Sequence, residues 1–249
     1  MKKFAYVLAI VLSIALVFTS CNVPSDRIPD MVFVEGGVCL FGSNATDADS
    51  DEMPMREVLM KPFYISKFEI TQSQWAYIMK TNPSLFIGDD RPVECVSWFE
   101  VQDYIKKLNE RTGRKYRLPT ELEWEYAARG GRFQKKYRYS GSNECNWVAW
   151  WRENSEYGTS PVGQKLPNRL GLYDMTGNVH EWCANEYDSL MYSREKIAPT
   201  FCSYTSLEVV VRGGDWQSSK QHLRIANRNH ISPYIRNAGV GFRLVMDVE

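Results

Sequence analysis

The side chains with the greatest capacity for chemistry lie near the C-terminus, in VRGGDWQSSKQHLRIANRNHISPYIRNAGVGFRLV, which starts at Val211. Aromatic and imidazole rings there would give rigid contact area, and hydroxyl and amide groups would give adaptable hydrogen bonds, as in antibody binding loops. The pattern predicts a ligand-binding surface formed by Asp215, Trp216, Gln217, Ser218, Ser219, His222, Asn229, His230, Ser232 and Tyr234. The alternative is that Trp216 packs in the core and the polar residues merely cover a loop.

Catalytic patterns are missing from the same sequence. No cysteine follows Cys202, so the segment has no thiolate for redox or copper chemistry. The sequence has no Ser/His/Asp motif, no HExxH and no phosphate loop, and its three histidines and lack of CxxC argue against zinc. These absences favour binding over catalysis.

A frame of arginines and glycines would have to position these side chains. Its members are Arg212-Gly213-Gly214, Leu223-Arg224, Asn227-Arg228 and Gly241-Phe242-Arg243. A guanidinium can donate two hydrogen bonds to one carboxylate and so fix a loop that lacks strand pairing. We therefore expect Arg224, Arg228 and Arg243 to be buried ion-pair partners, with Glu69, Glu123, Glu125 and Glu181 as available carboxylates.

Regular elements are predicted around this frame. Three helices have start signals at Thr71, at Ser97 with Glu100, and at Thr120 with Glu123, the last two being capping boxes. Strands are expected at 31–34, with 38–41 as its hairpin partner, and at 63–70, 209–211 and 241–246. Residues 43–57 read as an exposed loop, and 132–208 show little regular pattern.

The N-terminus has the pattern of a targeting segment. Lys2 and Lys3 precede an apolar run over residues 4–18, which is shorter than the roughly 20 residues that cross a membrane. With Thr19-Ser20-Cys21, it resembles the signal peptide of a bacterial lipoprotein, cut before Cys21. We expect a signal peptide at 1–20, a lipidated Cys21 and tether at 21–30, and one domain at 31–249. Ordinary secretion is the alternative.

Composition limits the partners. Thirty basic and thirty acidic side chains cancel among 249 residues, so bulk charge predicts no nucleic-acid partner. The expected contacts are a protein ligand and a membrane reached through lipid on Cys21. The expected protein is a monomer, anchored by lipid on the bacterial cell surface or outer membrane.

Several runs together resemble the formylglycine-generating-enzyme, or sulfatase-modifying factor, family, a branch of the C-type lectin fold. They are PFYISKFEIT from Pro62, RPV from Arg91, VSW from Val96, RLPTELEWEYAARGG from Arg117, PVG from Pro161, GLYDMTGNVHEW from Gly171, and the arginine–glycine frame. The resemblance implies an α+β fold with few helices, small sheets and much irregular structure.

The resemblance also implies a structural calcium site at Asp174, Gly177, Val179 and Glu181. Two carboxylates and two backbone carbonyls are hard oxygen ligands within one tight turn, which calcium tolerates. The alternative is that Asp174 caps a turn and Glu181 pairs with an arginine.

Active members of the resembled family use a cysteine pair and copper to oxidise a substrate cysteine. Alignment from Gly213-Gly214 places Ser218 and Leu223 at those two positions, and neither side chain binds copper(I) well. We therefore predict no enzyme activity and no copper.

The C-terminal segment is similar to variable proteins of diversity-generating retroelements, which keep such a frame while codons between its fixed points are rewritten. The predicted function is a surface lipoprotein that binds a ligand, a protein in our interpretation, through residues 212–243. The alternatives are a formylglycine-generating oxidase acting on sulfatases and a non-catalytic structural lipoprotein of the cell envelope.

Overall fold

The computed structural model describes residues 24–194, 197 and 200–248. The expected signal peptide and Cys21 lie outside the described residues. Within them, every helix is too short or too polar to cross a lipid bilayer.

The four α-helices of the described residues are α1 (Gln72–Met79), α2 (Trp98–Thr112), α3 (Glu121–Ala128) and the short α4 (Cys145–Val148). The three predicted helix starts are confirmed. Thr71, Ser97 and Thr120 each accept a hydrogen bond from a backbone N–H three residues later, and each helix start forms a complete capping box. Gly113 ends α2 in the left-handed conformation, at φ 69°.

Strands of the described residues form three small sheets. In chain order they are β1 (Met31–Val34), β2 (Gly37–Phe41), β3 (Arg56–Met60), β4 (Phe63–Ser66), β5 (Tyr116–Arg117), β6 (His180–Glu186), β7 (Val209–Arg212), β8 (Asn229–Ile231), β9 (Val240–Gly241) and β10 (Val245–Asp247). The strand orders are β1-β4-β10-β5, β2-β3 and β8-β7-β6-β9. Few helices, small sheets and long irregular stretches make this the α+β architecture that the sequence predicted.

Two local predictions were wrong. β2 is not the hairpin partner of β1, because β1 pairs with β4 and β2 pairs with β3. Residues 43–57 are not simply an exposed loop: Arg56 begins β3, and Glu52 is fully buried. The carboxylate of Glu52 lies inside because it meets the guanidinium of Arg224, a partner 172 residues away.

The irregular region 132–208 contains a strand that the sequence analysis missed. β6 lies at the centre of the third sheet, antiparallel to β7 and parallel to β9. Its residues HEWCANE are buried on both faces over most of their length, so the polar–apolar alternation that reveals a half-buried strand is absent. This sheet joins the C-terminal segment to the run that carries Glu181.

Two large apolar clusters form most of the core, and a smaller third one supports the irregular middle of the chain. In the second cluster, the rings of Trp75 and Tyr104 stack at 5.2 Å between α1 and α2. The third cluster joins Cys145, Val148 and Trp151 to Leu223 of the C-terminal segment. The irregular region is therefore held by side-chain packing where strand hydrogen bonds are few.

Candidate ligand-binding segment

Four of the five arginines of the C-terminal segment, those of the arginine–glycine frame, are buried and paired with carboxylates, whereas Arg236 is exposed. Arg212 is fully buried and lies 3.0 Å from Glu121 and 2.6 Å from Glu125. Arg243 is also fully buried and donates from Nε and Nη2 to both oxygens of Glu181, at 2.6 and 2.7 Å. Such forked pairs fix orientation as well as charge.

The other two arginines of the frame tie the segment to distant parts of the chain. Arg228 donates to Glu121 at 2.7 Å, and Arg224 donates to Glu52 at 2.5 Å. The expectation that these arginines are buried ion-pair partners is confirmed. The partners Glu52 and Glu121 were not among the carboxylates that the sequence analysis named.

Between these anchors, side chains of the predicted binding set reach solvent to different degrees. Gln217, His222, Asn229 and Tyr234 are exposed, Asp215, Trp216, Ser219, His230 and Ser232 are half-buried, and Ser218 is buried. Ser218 is the exception to the predicted exposed set. Its hydroxyl donates to Asp215 at 2.7 Å and accepts from the backbone N–H of Asp215 at 3.0 Å, so it holds the turn together.

Ser218 and Leu223 lie side by side beneath this turn. A Cβ on Gly214 would come within 2.6 Å of Leu223 Cδ2 and 3.4 Å of Ser218 Oγ. Leu223 is fully buried, and the thiol packed in its cluster belongs to Cys145. Burial raises the pKa of Cys145 to about 11, which keeps that thiol protonated at neutral pH.

Trp216 lines a groove beside the segment, which we call the Trp216 groove. Its indole meets the ring of Phe86 edge-on at 5.2 Å and donates from Nε1 to the carbonyl of Ala238 at 3.2 Å. Two adjoining cavities of about 540 and 330 Å³ form the groove, and both are lined by Ser155 and Tyr157. Trp216 is therefore partly packed and partly open to a ligand-sized space.

The groove contains polar groups without internal partners. Trp150 Nε1 and Thr159 Oγ1 are buried, line the larger cavity and form no hydrogen bond. Glu156 and Tyr157, on its wall, adopt left-handed backbone angles of φ 48° and 63°. Unsatisfied buried groups and strained backbone concentrate at binding sites. The sequence analysis missed this loop, because its residues follow no periodic pattern.

The remaining rings of the predicted set lie in other neighbourhoods. Tyr234 packs on Phe99 at 4.9 Å, and Phe99 stacks on the exposed Tyr204 at 4.7 Å. His230 stacks on Tyr187 at 4.0 Å, and its Nδ1 lies 3.0 Å from Glu208. Tyr234 and His230 therefore contact different neighbours from Trp216, whose ring lines the Trp216 groove.

His222 is the fourth ring of the set. It is exposed, and its Nδ1 lies 3.2 Å from the hydroxyl of Ser219. This local contact turns both side chains toward each other at the end of the turn that contains Ser218.

Asp174 and Glu181 of the expected calcium site form a buried carboxylate cluster with Glu69. Asp174 Oδ2 accepts from the backbone of Gly163 at 2.7 Å, whereas Oδ1 is buried without a hydrogen bond. Glu181 accepts from Arg243 and from Trp124, so three of its roughly four lone pairs are used. An orphaned carboxylate oxygen fits a cation, and Glu181 keeps one free acceptor position.

Charge balance in this cluster is incomplete. Burial, with Asp174 and Glu181 nearby, raises the pKa of Glu69 well above its usual range. Burial also raises the pKa of Asp174 to about 6. Three buried carboxyl groups lie near two cations, the guanidinium of Arg243 and the ammonium of Lys165, so a divalent cation would neutralise excess negative charge here. Among the described residues, no group of three or more Asp, Glu, His or Cys side chains is placed to hold a metal ion.

Comparison with known proteins identifies related sequences along almost the whole chain. The family described as sulfatase-modifying factor enzyme 1-like domain matches residues 19–248. The chaperone protein LppX of Paenibacillus barcinonensis is 37% identical over 204 residues, which are 62% of this chain and 70% of that protein. The formylglycine-generating enzyme of Thermomonospora curvata is 27% identical over 295 residues, covering 90% of this chain and 95% of the enzyme.

A solved structure supports the same relationship. Treponema denticola variable protein 1 matches with a TM-score of 0.78 at 27% identity, over 88% of this chain and 95% of that one. The predicted fold, the C-type lectin fold of the formylglycine-generating-enzyme type, is thereby confirmed, as is the resemblance to a variable protein.

Proposed function

Since the chain belongs to the sulfatase-modifying factor enzyme 1-like domain family, we propose that it is a member of that family that binds a protein ligand and catalyses no oxidation. The ligand contacts the segment 212–243 and the adjoining Trp216 groove. The protein is displayed on the bacterial surface by lipid on Cys21, and a retroelement diversifies the segment.

One observation carries this proposal: the four arginines of the arginine–glycine frame are buried on carboxylates while side chains between them reach solvent. Substitutions at exposed positions cost little stability, usually within about 0.5 kcal/mol, whereas the buried pairs tolerate few changes. A surface can therefore change its chemistry while its support stays fixed. The likeness to a variable protein supports the same interpretation.

The chemistry at the segment supports binding over oxidation. Alignment from Gly213-Gly214 places Ser218 and Leu223 at the positions where active members of the resembled family carry thiols, and both side chains are buried. A hydroxyl and an aliphatic side chain offer copper(I) no soft ligand. The test is incubation with copper and a sulfatase-type cysteine peptide, followed by mass spectrometry. We expect no conversion to formylglycine above a control of copper and peptide without protein, and conversion above that control would establish the oxidase instead.

A photocrosslinking experiment tests the binding surface itself. A photoreactive amino acid at Gln217, which is exposed beside Trp216, is compared with the same group at exposed Lys106 on α2. We expect a discrete crosslinked protein from Gln217 that Trp216→Ala weakens. Identical products from both positions would contradict a ligand surface at the segment.

Retroelement diversification has a separate test in the DNA around the coding sequence. We expect a neighbouring reverse-transcriptase gene and a near-copy of the stretch that encodes residues 212–243. Sequencing many cells of one culture should then find changes concentrated in that stretch. Changes spread evenly along the gene would contradict diversification without affecting the binding proposal.

We further propose that calcium binds at Asp174, Gly177, Val179 and Glu181. The free oxygen of Asp174 and the excess of buried carboxyl groups support this assignment. Calcium should raise the thermal unfolding midpoint of the wild type, because ligand that binds the native state stabilises it. Asp174→Ala should remove that increase. A wild-type midpoint that millimolar calcium leaves unchanged would overturn the calcium site.

A further inference from the structure

A second pocket lies away from the Trp216 groove, and we call it the basic pocket. It has a volume of about 660 Å³ and opens between the loop 42–47, the segment 134–138 and residues 224–226. This size is within the range of about 300–1,000 Å³ that is usual for ligand pockets. The residues that line the basic pocket are different from those that line the Trp216 groove.

The inner surface of the basic pocket is apolar and fixed in place. Leu40, Met55, Tyr137 and Ile225 contribute to its lining, and Ile225 is only 2% exposed. The backbone N–H of Ile225 donates to the carbonyl of Arg138 at 2.9 Å, which connects residues 224–226 to the segment 134–138. The opposite wall is held because the backbone of Met55 donates to Asn44 at 2.8 Å. The pocket is therefore formed before any ligand arrives.

Two basic side chains of the lining are already neutralised. Arg138 pairs with Asp47 at 2.6 Å, and Arg224 pairs with Glu52 at 2.5 Å. These pairs belong to the fold and leave little charge for a ligand. Because of these pairs, the basic side chains of the lining repel one another less than their number alone would suggest.

Other cations of the lining keep unused capacity. Lys135 and Lys136 are exposed, and no carboxylate of the described residues forms an ion pair with either of them. Arg129 uses Nε and Nη2 for Glu125 and the carbonyl of Gly42, and its Nη1 makes no hydrogen bond. The pocket thus combines an apolar floor with two ammonium groups that lack an anion, because the guanidinium of Arg129 is already paired with Glu125 at 2.6 Å.

We propose that the basic pocket binds an acidic peptide segment of a partner protein, with carboxylates on Lys135 and Lys136 and an apolar side chain against Leu40 and Ile225. Inorganic anions would leave the apolar floor unused. The amide side chains of Asn44 and Asn143, also in the lining, can hydrogen-bond a peptide backbone. Electrostatic complementarity of this kind sets partner choice and association rate.

The test uses a fluorescent peptide of alternating leucine and glutamate, blocked at both ends, and follows its anisotropy at low salt. We expect saturable binding that Lys135→Glu with Lys136→Glu weakens about tenfold or more, because attraction becomes repulsion. The matched control is Lys106→Glu with Lys107→Glu, which makes the same charge change on exposed positions of α2. The control should change affinity less than about twofold.

Two further arms separate the sources of binding. Replacing leucine by serine in the peptide should remove most of the affinity, and equal binding by both peptides would overturn the apolar part of the site. If the two double variants lost equal peptide affinity, the loss would reflect the overall charge of the protein, and the proposed binding site in the basic pocket would be wrong. Anionic phosphatidylglycerol vesicles form the last arm: binding that depends on Lys135 and Lys136 for vesicles but not for the peptide would replace the acidic peptide by a lipid surface.

Discussion

Single residues of the C-terminal segment divide sharply into support and surface. Arg212 is fully buried between Glu121 and Glu125, whereas Gln217, five positions later, is exposed. The first kind of residue determines whether the segment has a shape, and the second kind determines what that shape can contact. The two kinds should therefore respond very differently to substitution.

Replacing Arg212 by alanine tests the support. The change leaves the carboxylates of Glu121 and Glu125 buried with less compensation, and we expect a loss of about 3–5 kcal/mol in unfolding free energy. Gln217→Ala is the control and should stay within about 0.5 kcal/mol. Urea denaturation followed by tryptophan fluorescence measures both. Similar losses in the two variants would show that the buried pairs do not form the support.

At the scale of elements, the turn after β7 is the critical connection. Gly213 and Gly214 have φ angles of 94° and 75°, which side chains with a Cβ rarely adopt. This turn connects β7 of the third sheet to Trp216, Gln217 and Ser218. It also brings Leu223 against the backbone of Gly214.

Gly214→Ala should disrupt this turn. The new Cβ would meet Leu223 at 2.6 Å and the carbonyl of His222 at 3.0 Å, in addition to the strain of a positive φ. Gly113→Ala is the matched control, because Gly113 has φ 69° but open space around it. We expect Gly214→Ala to cost at least about 1 kcal/mol more than Gly113→Ala, as overpacking does. Equal thermal midpoints for the two variants would contradict the close approach.

Elements with local signals were the ones that the sequence predicted well. The helix starts at Thr71, Ser97 and Thr120 depend on residues within one turn, so the sequence alone identifies them. The pairing of β1 with β4 depends on distant residues, and the nearer β2 was wrongly chosen. Glu52 looked exposed because its neighbours are polar, and its burial is explained by two distant partners, Arg224 and Asn227.

The candidate site was also predicted only where the sequence carries a local signal. The exposed residues of the C-terminal segment stand between arginines and glycines that are recognisable in order. The wall of the Trp216 groove around Glu156 and Tyr157 was not predicted, because it is formed by backbone conformation in an irregular loop. Burial of Ser218 was missed because it depends on how the turn folds back on itself.

At the scale of the whole molecule, the described residues form a domain fixed by contacts between remote parts of the chain. Arg224 joins the C-terminal segment to Glu52, and Arg243 joins it to Glu181. The Trp216 groove and the basic pocket use separate linings of this one body.

Membrane attachment is tested by Cys21→Ser. We expect the wild type to partition into detergent and to incorporate a palmitate analogue, because buried acyl methylenes each contribute about 0.8 kcal/mol. The variant should lose the label and stay in the aqueous phase. Cys202→Ser is the control, since that half-buried thiol lies within the domain and should not affect partitioning. Equal labelling of both variants would exclude lipid on Cys21.

The position of β10 has a consequence for how the chain reaches its native state. β10 is the last described strand along the chain, yet it lies inside its sheet, between β4 and β5. A ribosome-bound chain that ends before Val245 lacks β10, so the edges of β4 and β5 that β10 would pair with stay unpaired. Folding of this sheet must therefore follow synthesis of residues 245–247, and C-terminally truncated chains should be cleared by proteases as open, unfinished molecules.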